Sequence, residues 1–527
     1  MPRESREPGE PHEPGEPQPG PVPSRAPSPA PSPAPSPAPS PALIALLARI
    51  EARSAVVAVV GLGYVGLGIA GAFAHGGFRV LGVDRDARRV GQLLRGETPH
   101  GHLGADFAAA LLATRRFDAT TDAARLREAD AILICVPTPL GPGDAPDLSD
   151  VRAAAAAVAA SLRAGQLVVL ESTTYPGTTR EVLLPALLAA HAPHASDRGA
   201  AAEPALACGR DVFVAFSPER EDPGRGRMST AAIPRLVGGL DAPSQAAALA
   251  LYGAVLQRVV PVSSAEVAEA AKLLENIYRA VNIAMVNEMK VLLTAMGIDI
   301  QEVIDAAATK PFGFQEFRPG PGWGGHCIPI DPYYLAWKAR QAGQEARFIA
   351  LAGAVNRAMP DYVLDRARQA LAARRAASAD RTKASATSAA AAPGVAHVAA
   401  PPAPGADVLA GARVLVLGLA YKRDIDDVRE SPSLRLLALL AAAGAQPEYH
   451  DPHVPAMPAA ASAAHALPPA LAALRSVPLD PGRLAAYDVV VIATDHAAID
   501  WALVARASRL IVDTRGVLRG VPGVVPA

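Results

Sequence analysis

One cysteine stands in the run Gly-Trp-Gly-Gly-His-Cys-Ile-Pro-Ile-Asp, from Gly322 to Asp331, and far upstream a glycine-rich turn reads Gly61-Leu-Gly63-Tyr64-Val65-Gly66. The second pattern is a dinucleotide-binding fingerprint, which on its own suggests one hydride transfer to or from an alcohol. The first adds a thiol, Cys327, able to trap an aldehyde as a thiohemiacetal. Further oxidation gives a thioester, and water releases an acid. Together the two patterns point to a four-electron oxidation of an alcohol to an acid.

Other polar residues fit that chemistry. Lys272 and Asn276 are four apart in a helical pattern and share one face. Side by side they can stabilise an oxyanion, and the ammonium would lower the pKa of a nearby thiol. An ordinary solvated helix face is the alternative. Asp331, four residues after Cys327, can take up protons or orient a water. A buried, inert cysteine is the competing reading for Cys327. Trp323 and the neighbouring prolines would exclude bulk solvent.

These groups need a scaffold, and the chain supplies an alternation of strands and helices. Apolar runs at 55–60, 79–83, 131–136, 167–170 and 212–216 are separated by helical stretches, the mark of a parallel α/β sheet. The glycine turn follows the first run and opens a helix, as a dinucleotide fingerprint requires. Asp84 ends the next run, where it can accept hydrogen bonds from a ribose diol and repel a 2′-phosphate. That favours NAD over NADP, although Arg85 and Arg89 work against the inference. Strand ends also carry Thr138, Ser172-Thr173-Thr174 and Ser217-Pro-Glu219, an active-site edge unless each is merely a cap or turn. Cys135 reads as a small core residue. A long helix is expected from Ser263 to Met296, stopped by Gly297. After a second biased stretch the α/β alternation resumes at 414–417, 448–450, 489–492 and 510–512, with a helix started by Pro432.

The layout is therefore α/β, then helices, then α/β. Residues 1–42 form a Pro/Ser/Ala-rich tail that cannot pack a core, 43–260 the cofactor domain, 261–371 the helical part with the cysteine loop, 372–410 an Ala/Ser/Pro-rich insertion or linker, and 411–527 the last domain. Fifty Lys+Arg against 51 Asp+Glu argue against nucleic acid as the main partner. Three widely spaced cysteines have no metal-ligand spacing and fit a reducing cytosol. No signal peptide or membrane span is visible. A soluble cytoplasmic enzyme, with no metal, is the expectation.

The chain resembles the UDP-glucose/GDP-mannose dehydrogenase family, and within it the branch acting on UDP-N-acetylglucosamine. The resemblance is carried by Gly61-LGYVGL, Cys135-VPTPL, Glu171-STTYPGTT, Phe216-SPEREDPG, Lys272-LLENIYRAVNIAMVNE, Pro319-GPGWGGHCIPIDPYYL, Val416-LGLAYKRDIDDVRESPS and Val512-DTRG. It implies two Rossmann-like domains joined by a central helical dimerisation domain, the last domain helping to bind a UDP-sugar. It implies roles too: Cys327 as nucleophile, Lys272 and Asn276 on the oxyanion, Thr173 and Asp331 on the water, and Glu219 in the same network. Arg318 and the Gly320, Gly322, Gly324, Gly325 loop would hold the nucleotide-sugar together with Tyr421 and Lys422, while Arg429 would approach NAD. The product would be a uronate for polysaccharide synthesis.

Three departures from the UDP-glucose enzymes match the N-acetylglucosamine branch. Pro223 stands where a second glutamate is usual, Ile330 where a lysine often precedes the aspartate, and Glu171 where lysine is usual. UDP-glucose or another UDP-N-acetylhexosamine is the rival substrate. A two-electron β-hydroxyacid dehydrogenase would not need Cys327. A catalytically silent scaffold would not need Cys327, Lys272, Asn276 and Asp331 together.

Overall fold

Valine-rich strands with no polar alternation need cover on both faces, and they receive it. The computed structural model of the protein describes residues 38–99, 103–189, 205–220, 230–388 and 407–527. Its first sheet contains β1 (Val56–Val60), β2 (Arg79–Val83), β3 (Phe117–Thr120), β4 (Ala131–Ile134), β5 (Leu167–Leu170), β6 (Phe213–Phe216), β7 (Arg235–Gly239) and β8 (Val259–Pro261). The order is β8-β7-β6-β5-β4-β1-β2-β3, parallel except for the β6–β7 pair. One hydrophobic cluster covers each face. The apolar runs named above locate β1, β2, β4, β5 and β6. They miss β3, whose Phe-Asp-Ala-Thr alternates in burial, β7, which opens on a buried arginine, and the three-residue edge strand β8.

Helix α1 (Pro41–Glu51) precedes the sheet, capped by the Ser40 hydroxyl, and buries Leu43, Leu46 and Ile50 in the first cluster. Helix α1 thus overlaps the end of the stretch read as tail, of which residues 1–37 lie outside the described residues. Helix α2 (Tyr64–His75) follows β1 directly. Helix α3 (Ala265–Ala295) has 31 residues, close to the expected span, with Ser264 as its cap. At 1.5 Å per residue it is about 46 Å long. It packs against α5 (Asp331–Gln341) and α6 (Arg347–Ser388), and α4 (Ile300–Ala308) follows it in the chain.

Helix α6 extends into the segment read as an insertion or linker. Its alanines and arginines are good helix formers, and it continues through 372–388, the first part of the segment taken for a linker. Residues 389–406 of that segment lie outside the described residues.

The second sheet holds β9 (Arg413–Leu417), β10 (Gln446–His450), β11 (Val489–Ile492), β12 (Ile511–Asp513) and the short edge strand β13 (Val524–Pro526), in the parallel order β10-β9-β11-β12-β13. It repeats the first glycine turn closely. Gly61 and Gly418 both have positive φ, 93° and 90°. Both donate 2.8 Å bonds to the last residue of the next strand, Val83 and His450. Leu62 and Leu419 each donate a 2.7 Å bond to the carboxylate that follows, Asp84 and Asp451. The turns then diverge. Helix α2 starts at Tyr64, whereas α7 (Pro432–Ala442) starts only after a loop. Ser433 closes the position by donating to the Gly418 carbonyl at 2.9 Å, and Ala420 adds a second backbone donor to Asp451. Only the first turn leaves a helix N-terminus open beside its glycines.

Candidate active site

The open turn fits a dinucleotide. A Cβ on Gly61 would stand 2.5 Å from the Cys135 carbonyl oxygen, and one on Gly66 1.8 Å from that of Gly61, so both must be glycine for strand and helix to pack. A Cβ on Gly63 would meet nothing within 4 Å. Gly63 caps α2 without a side-chain acceptor, so the Tyr64-Val65-Gly66 end presents backbone donors to an anion. Asp84 is buried and already engaged, accepting from Leu62 and Asp86 amides and from Arg89 at 2.8 Å. Arg89 therefore neutralises the charge that was expected to repel a 2′-phosphate, and Arg85 is paired with Asp150. From the second sheet, Arg429 lies over the Tyr64 ring at 4.6 Å, held by Asp427.

The solvated-face alternative for Lys272 and Asn276 fails, because both are buried. Lys272 Nζ lies 3.9 Å from Glu219, and Asn276 Nδ2 donates to Asp331 at 2.6 Å. Cys327 shares their electrostatic field: its thiol is influenced by Asp331, Lys272, Glu219 and Arg429. The expected lowering by the Lys272 ammonium is present. Burial dominates, Asp331 adds repulsion, and together they outweigh Lys272 and push the thiol up to about 12. Burial likewise raises Asp331 to about 6, against the pull of Lys272 and Asn276. Burial opposes the charge on Lys272, but Glu219, Cys327 and Asp331 outweigh it, so the ammonium persists. Burial and Arg429 lower His326 to about 4, which leaves a neutral imidazole beside the cysteine.

The glycine loop is wedged between helices and the second sheet. Gly320 N–H donates to Asn287 at 2.9 Å, and Asn287 is tied to Asn356 on α6. A Cβ on Gly324 or Gly325 would strike the Tyr421 side chain, and one on Gly322 would come within 3.0 Å of the Asn356 carbonyl. Gly325 N–H also bonds the Arg429 carbonyl at 2.8 Å. Tyr421 is thus against the loop, with Lys422 next to it in the chain. Arg318 is committed to Glu316, Gln301 and Asp305.

Of the hydroxyls at the strand ends, Ser172 and Ser217 are structural. Ser172 bonds the Val136 carbonyl, and Ser217 bonds the Leu236 carbonyl while accepting from Arg235. The Thr138 carbonyl accepts from Tyr334, and Thr138 is buried. Thr173 is half-buried, and its hydroxyl has no bond to any described residue. Glu171 lies buried with Arg235 and Tyr252. The Pro223 departure lies outside the described residues.

Sequence reasoning assigned no role to three further groups. Glu269, one turn before Lys272, accepts from the Gly177 and Thr179 amides and the Thr179 hydroxyl, fixing the turn that follows Thr173. The E-x-x-K spacing was visible, but its partner on another element was not. Arg515 lies where a Cβ on Gly320 would meet its guanidinium at 2.5 Å, within the Val512-DTRG block. His326 stood in the quoted motif without a function.

Comparison with known proteins agrees with this geometry. The NAD binding, central and UDP binding domains of the UDP-glucose/GDP-mannose dehydrogenase family match residues 55–256, 266–358 and 415–520. UDP-N-acetyl-D-mannosamine dehydrogenase of Salmonella typhi is 33% identical over 88% of this chain and 99% of its own length. NDP-N-acetyl-D-galactosaminuronic acid dehydrogenase of Ralstonia nicotianae is 33% identical over 87% of this chain and 95% of its own. The solved UDP-D-ManNAc dehydrogenase of Pyrococcus horikoshii superposes with a TM-score of 0.69 at 29% identity, covering 87% of this chain and 95% of that one. With its three domains in order around Cys327, the chain belongs to the UDP-glucose/GDP-mannose dehydrogenase family and is an NAD-dependent nucleotide-sugar dehydrogenase.

Proposed function

We propose that this protein oxidises the C6 hydroxyl of a UDP-N-acetylhexosamine to the uronate, with Cys327 as the covalent nucleophile. The observation that carries the reading is a cluster drawn from separate elements: buried Lys272 and Asn276 on α3 reach Glu219 and buried Asp331, and the Asp331 amide bonds the Cys327 carbonyl at 2.9 Å. Bound NAD supplies a hydride acceptor. Asp331, ionised above about pH 6, accepts the proton lost from the C6 hydroxyl. The Cys327 thiol then adds across the aldehyde, sulfur bonding to carbon while its proton passes to the carbonyl oxygen, and the negative charge that develops on that oxygen faces the Lys272 ammonium and the Asn276 amide. The thiohemiacetal carbon would give up its hydride to a second NAD while the hydroxyl proton passes to solvent, and a thioester remains on Cys327. Water adds to that carbonyl, the C–S bond breaks, the sulfur recovers a proton, and Asp331 with Thr173 directs the water.

Arg429 and Tyr64 bring the second sheet to the cofactor turn, and Tyr421 brings it to the glycine loop, so the nucleotide-sugar would be enclosed between them. The chain's own motifs favour the gluco epimer, whereas the relatives carry manno and galacto names. The proposal is therefore the N-acetylhexosamine class, with UDP-N-acetylglucosamine as its first member to test. Along α3, Leu274, Tyr278, Met285, Met289, Leu292 and Met296 form an exposed apolar stripe that supports a homodimer.

Purified protein with excess NAD and limiting UDP-N-acetylglucosamine, UDP-N-acetylmannosamine, UDP-N-acetylgalactosamine or UDP-glucose tests this directly. The expected yield is about two NADH per N-acetylhexosamine consumed. About one per sugar would reject the thioester route, and turnover of UDP-glucose alone would reject the substrate class.

A further inference from the structure

The buried polar residues of α3 do not end with the catalytic pair. Farther along, Lys290 is 3% exposed. Its Nζ reaches one partner, the Thr514 carbonyl on the second sheet, at 3.1 Å. An ammonium has three donors, and a buried one with a single neutral acceptor is costly. The nearest carboxylate, Asp513, cannot compensate fully, since it already accepts from the Arg515, Gly516 and Leu518 amides. Burial lowers Lys290 to about 7, despite Asp513.

Lys290 does not face solid protein. It lines a cavity of about 330 Å³ between α3, α4, α6 and the end of the second sheet. Arg366 from α6 lines it as well, bonded among the described residues to the Pro526 carbonyl and Gln369. Arg519 is the third cation, but it is committed to Asp299 and Asp305. Ile298, Leu518, Val521 and Val524 form the apolar wall, and the two carboxylates that also line the cavity are already engaged, Asp299 by Arg519 and Asp513 by three backbone amides. Among the described residues no carboxylate is bonded to Lys290 or Arg366, and two basic groups left so beside an apolar wall match a ligand with an acidic group on a compact body, whose charge would also hold the proton on Lys290.

We propose that this cavity binds a small organic anion, a carboxylate or phosphate on a body of sugar size, through Lys290 and Arg366. It is a second site, apart from Cys327 and the cofactor turn. Its wall communicates with the nucleotide-sugar loop. Gln301 in the wall accepts from Arg318 at 3.0 Å. Asp305 joins Arg318, at 2.6 Å, to the wall residue Arg519, at 2.5 Å. An anion drawing on Arg519 would loosen Asp305 and alter Arg318, so its occupancy would be felt as a change in nucleotide-sugar KM.

The test is a thermal-shift titration of the full chain with D-glucuronate and with D-glucose 1-phosphate, in the presence of saturating UDP so that the nucleotide-sugar site is filled. The expected result is a rise in Tm of about 2–4 °C with at least one probe. Response to glucuronate alone would identify a carboxylate ligand, and response to glucose 1-phosphate alone a phosphate. Lys290→Met should abolish the shift. Should that variant fold poorly, Val521→Trp, which fills the cavity without touching a charge, should abolish it instead. No shift with either probe, a shift that disappears when UDP saturates, or an undiminished shift in a folded variant would each overturn the proposal.

Discussion

Asn276 on α3 holds the carboxylate of Asp331, at the start of α5, by a 2.6 Å hydrogen bond between residues 55 apart in sequence. The bond fixes a buried acid whose pKa is about 6, where burial is the main cause and Lys272 and Asn276 oppose it. Replacing Asp331 by Asn should lower acid release by about 10²–10⁴-fold, the range of a lost general base. In the wild type, kcat should fall below about pH 6 as Asp331 takes its proton, and the variant should lack that limb. Stability should move the other way. A carboxyl raised from 3.8 binds its proton more tightly in the folded state, so it costs stability above about 6 and the cost is relieved as pH falls toward 3.8. Asp331→Asn should therefore be no less stable than wild type at pH 8, by urea unfolding.

A thiol pushed to about 12 by burial and by Asp331 should be sluggish in the free enzyme. Iodoacetamide should alkylate Cys327 at pH 8 more slowly than it alkylates glutathione. Asp331→Asn, which removes the repulsion, should speed that alkylation. Cys327→Ser should abolish net uronate and reduce NADH per sugar from about two to at most one. Normal uronate output from the serine variant would rule out the covalent route.

The Asp84–Arg89 pair makes a separable prediction about the cofactor. Asp84→Ser removes the carboxylate and releases an arginine that now bonds to it at 2.8 Å. The freed guanidinium is a ready partner for a 2′-phosphate. The ratio of kcat/KM for NADP to that for NAD should rise by about 10-fold or more. An unchanged ratio would place the ribose end of the cofactor elsewhere.

What the sequence disclosed and what it concealed divide along a physical line. Strands such as Val489–Ile492, buried on both faces, are legible because burial alone dictates their residues. The glycine turn and the Lys272/Asn276 pair are legible because backbone approach and helical spacing are local. The pull of Lys272 on the Cys327 thiol was legible, whereas the burial and the Asp331 charge that outweigh it emerge only from packing. The helical character of 372–388 was not legible because alanine and arginine suit both an extended insertion and a helix, and a contact distant in sequence accompanies the helix. Arg375, inside that stretch, donates to the Val408 carbonyl. The Glu269 contact with the Gly177 turn spans 92 residues, and no pattern in either segment announces it.

That contact supports the last prediction. Burial raises Glu269 to about 7 from an ordinary 4.5, while its three hydrogen bonds from Gly177 and Thr179 hold it down. The folded state thus binds the Glu269 proton more tightly than the unfolded chain does. Its contribution to stability is full below 4.5 and declines as pH rises through 7. Glu269→Gln keeps the shape and cannot ionise, but its amide nitrogen faces a backbone donor that the carboxylate satisfied. The variant should therefore be less stable than wild type at pH 5, and the gap should narrow toward pH 8 as only the wild type loses stability. Urea midpoints at several pH values measure this. A gap that is constant with pH would mean that Glu269 stays ionised throughout. If the turn also positions Thr173, the variant should lose kcat at pH 8 while KM for NAD stays within about twofold, because the cofactor glycines lie on a different strand end.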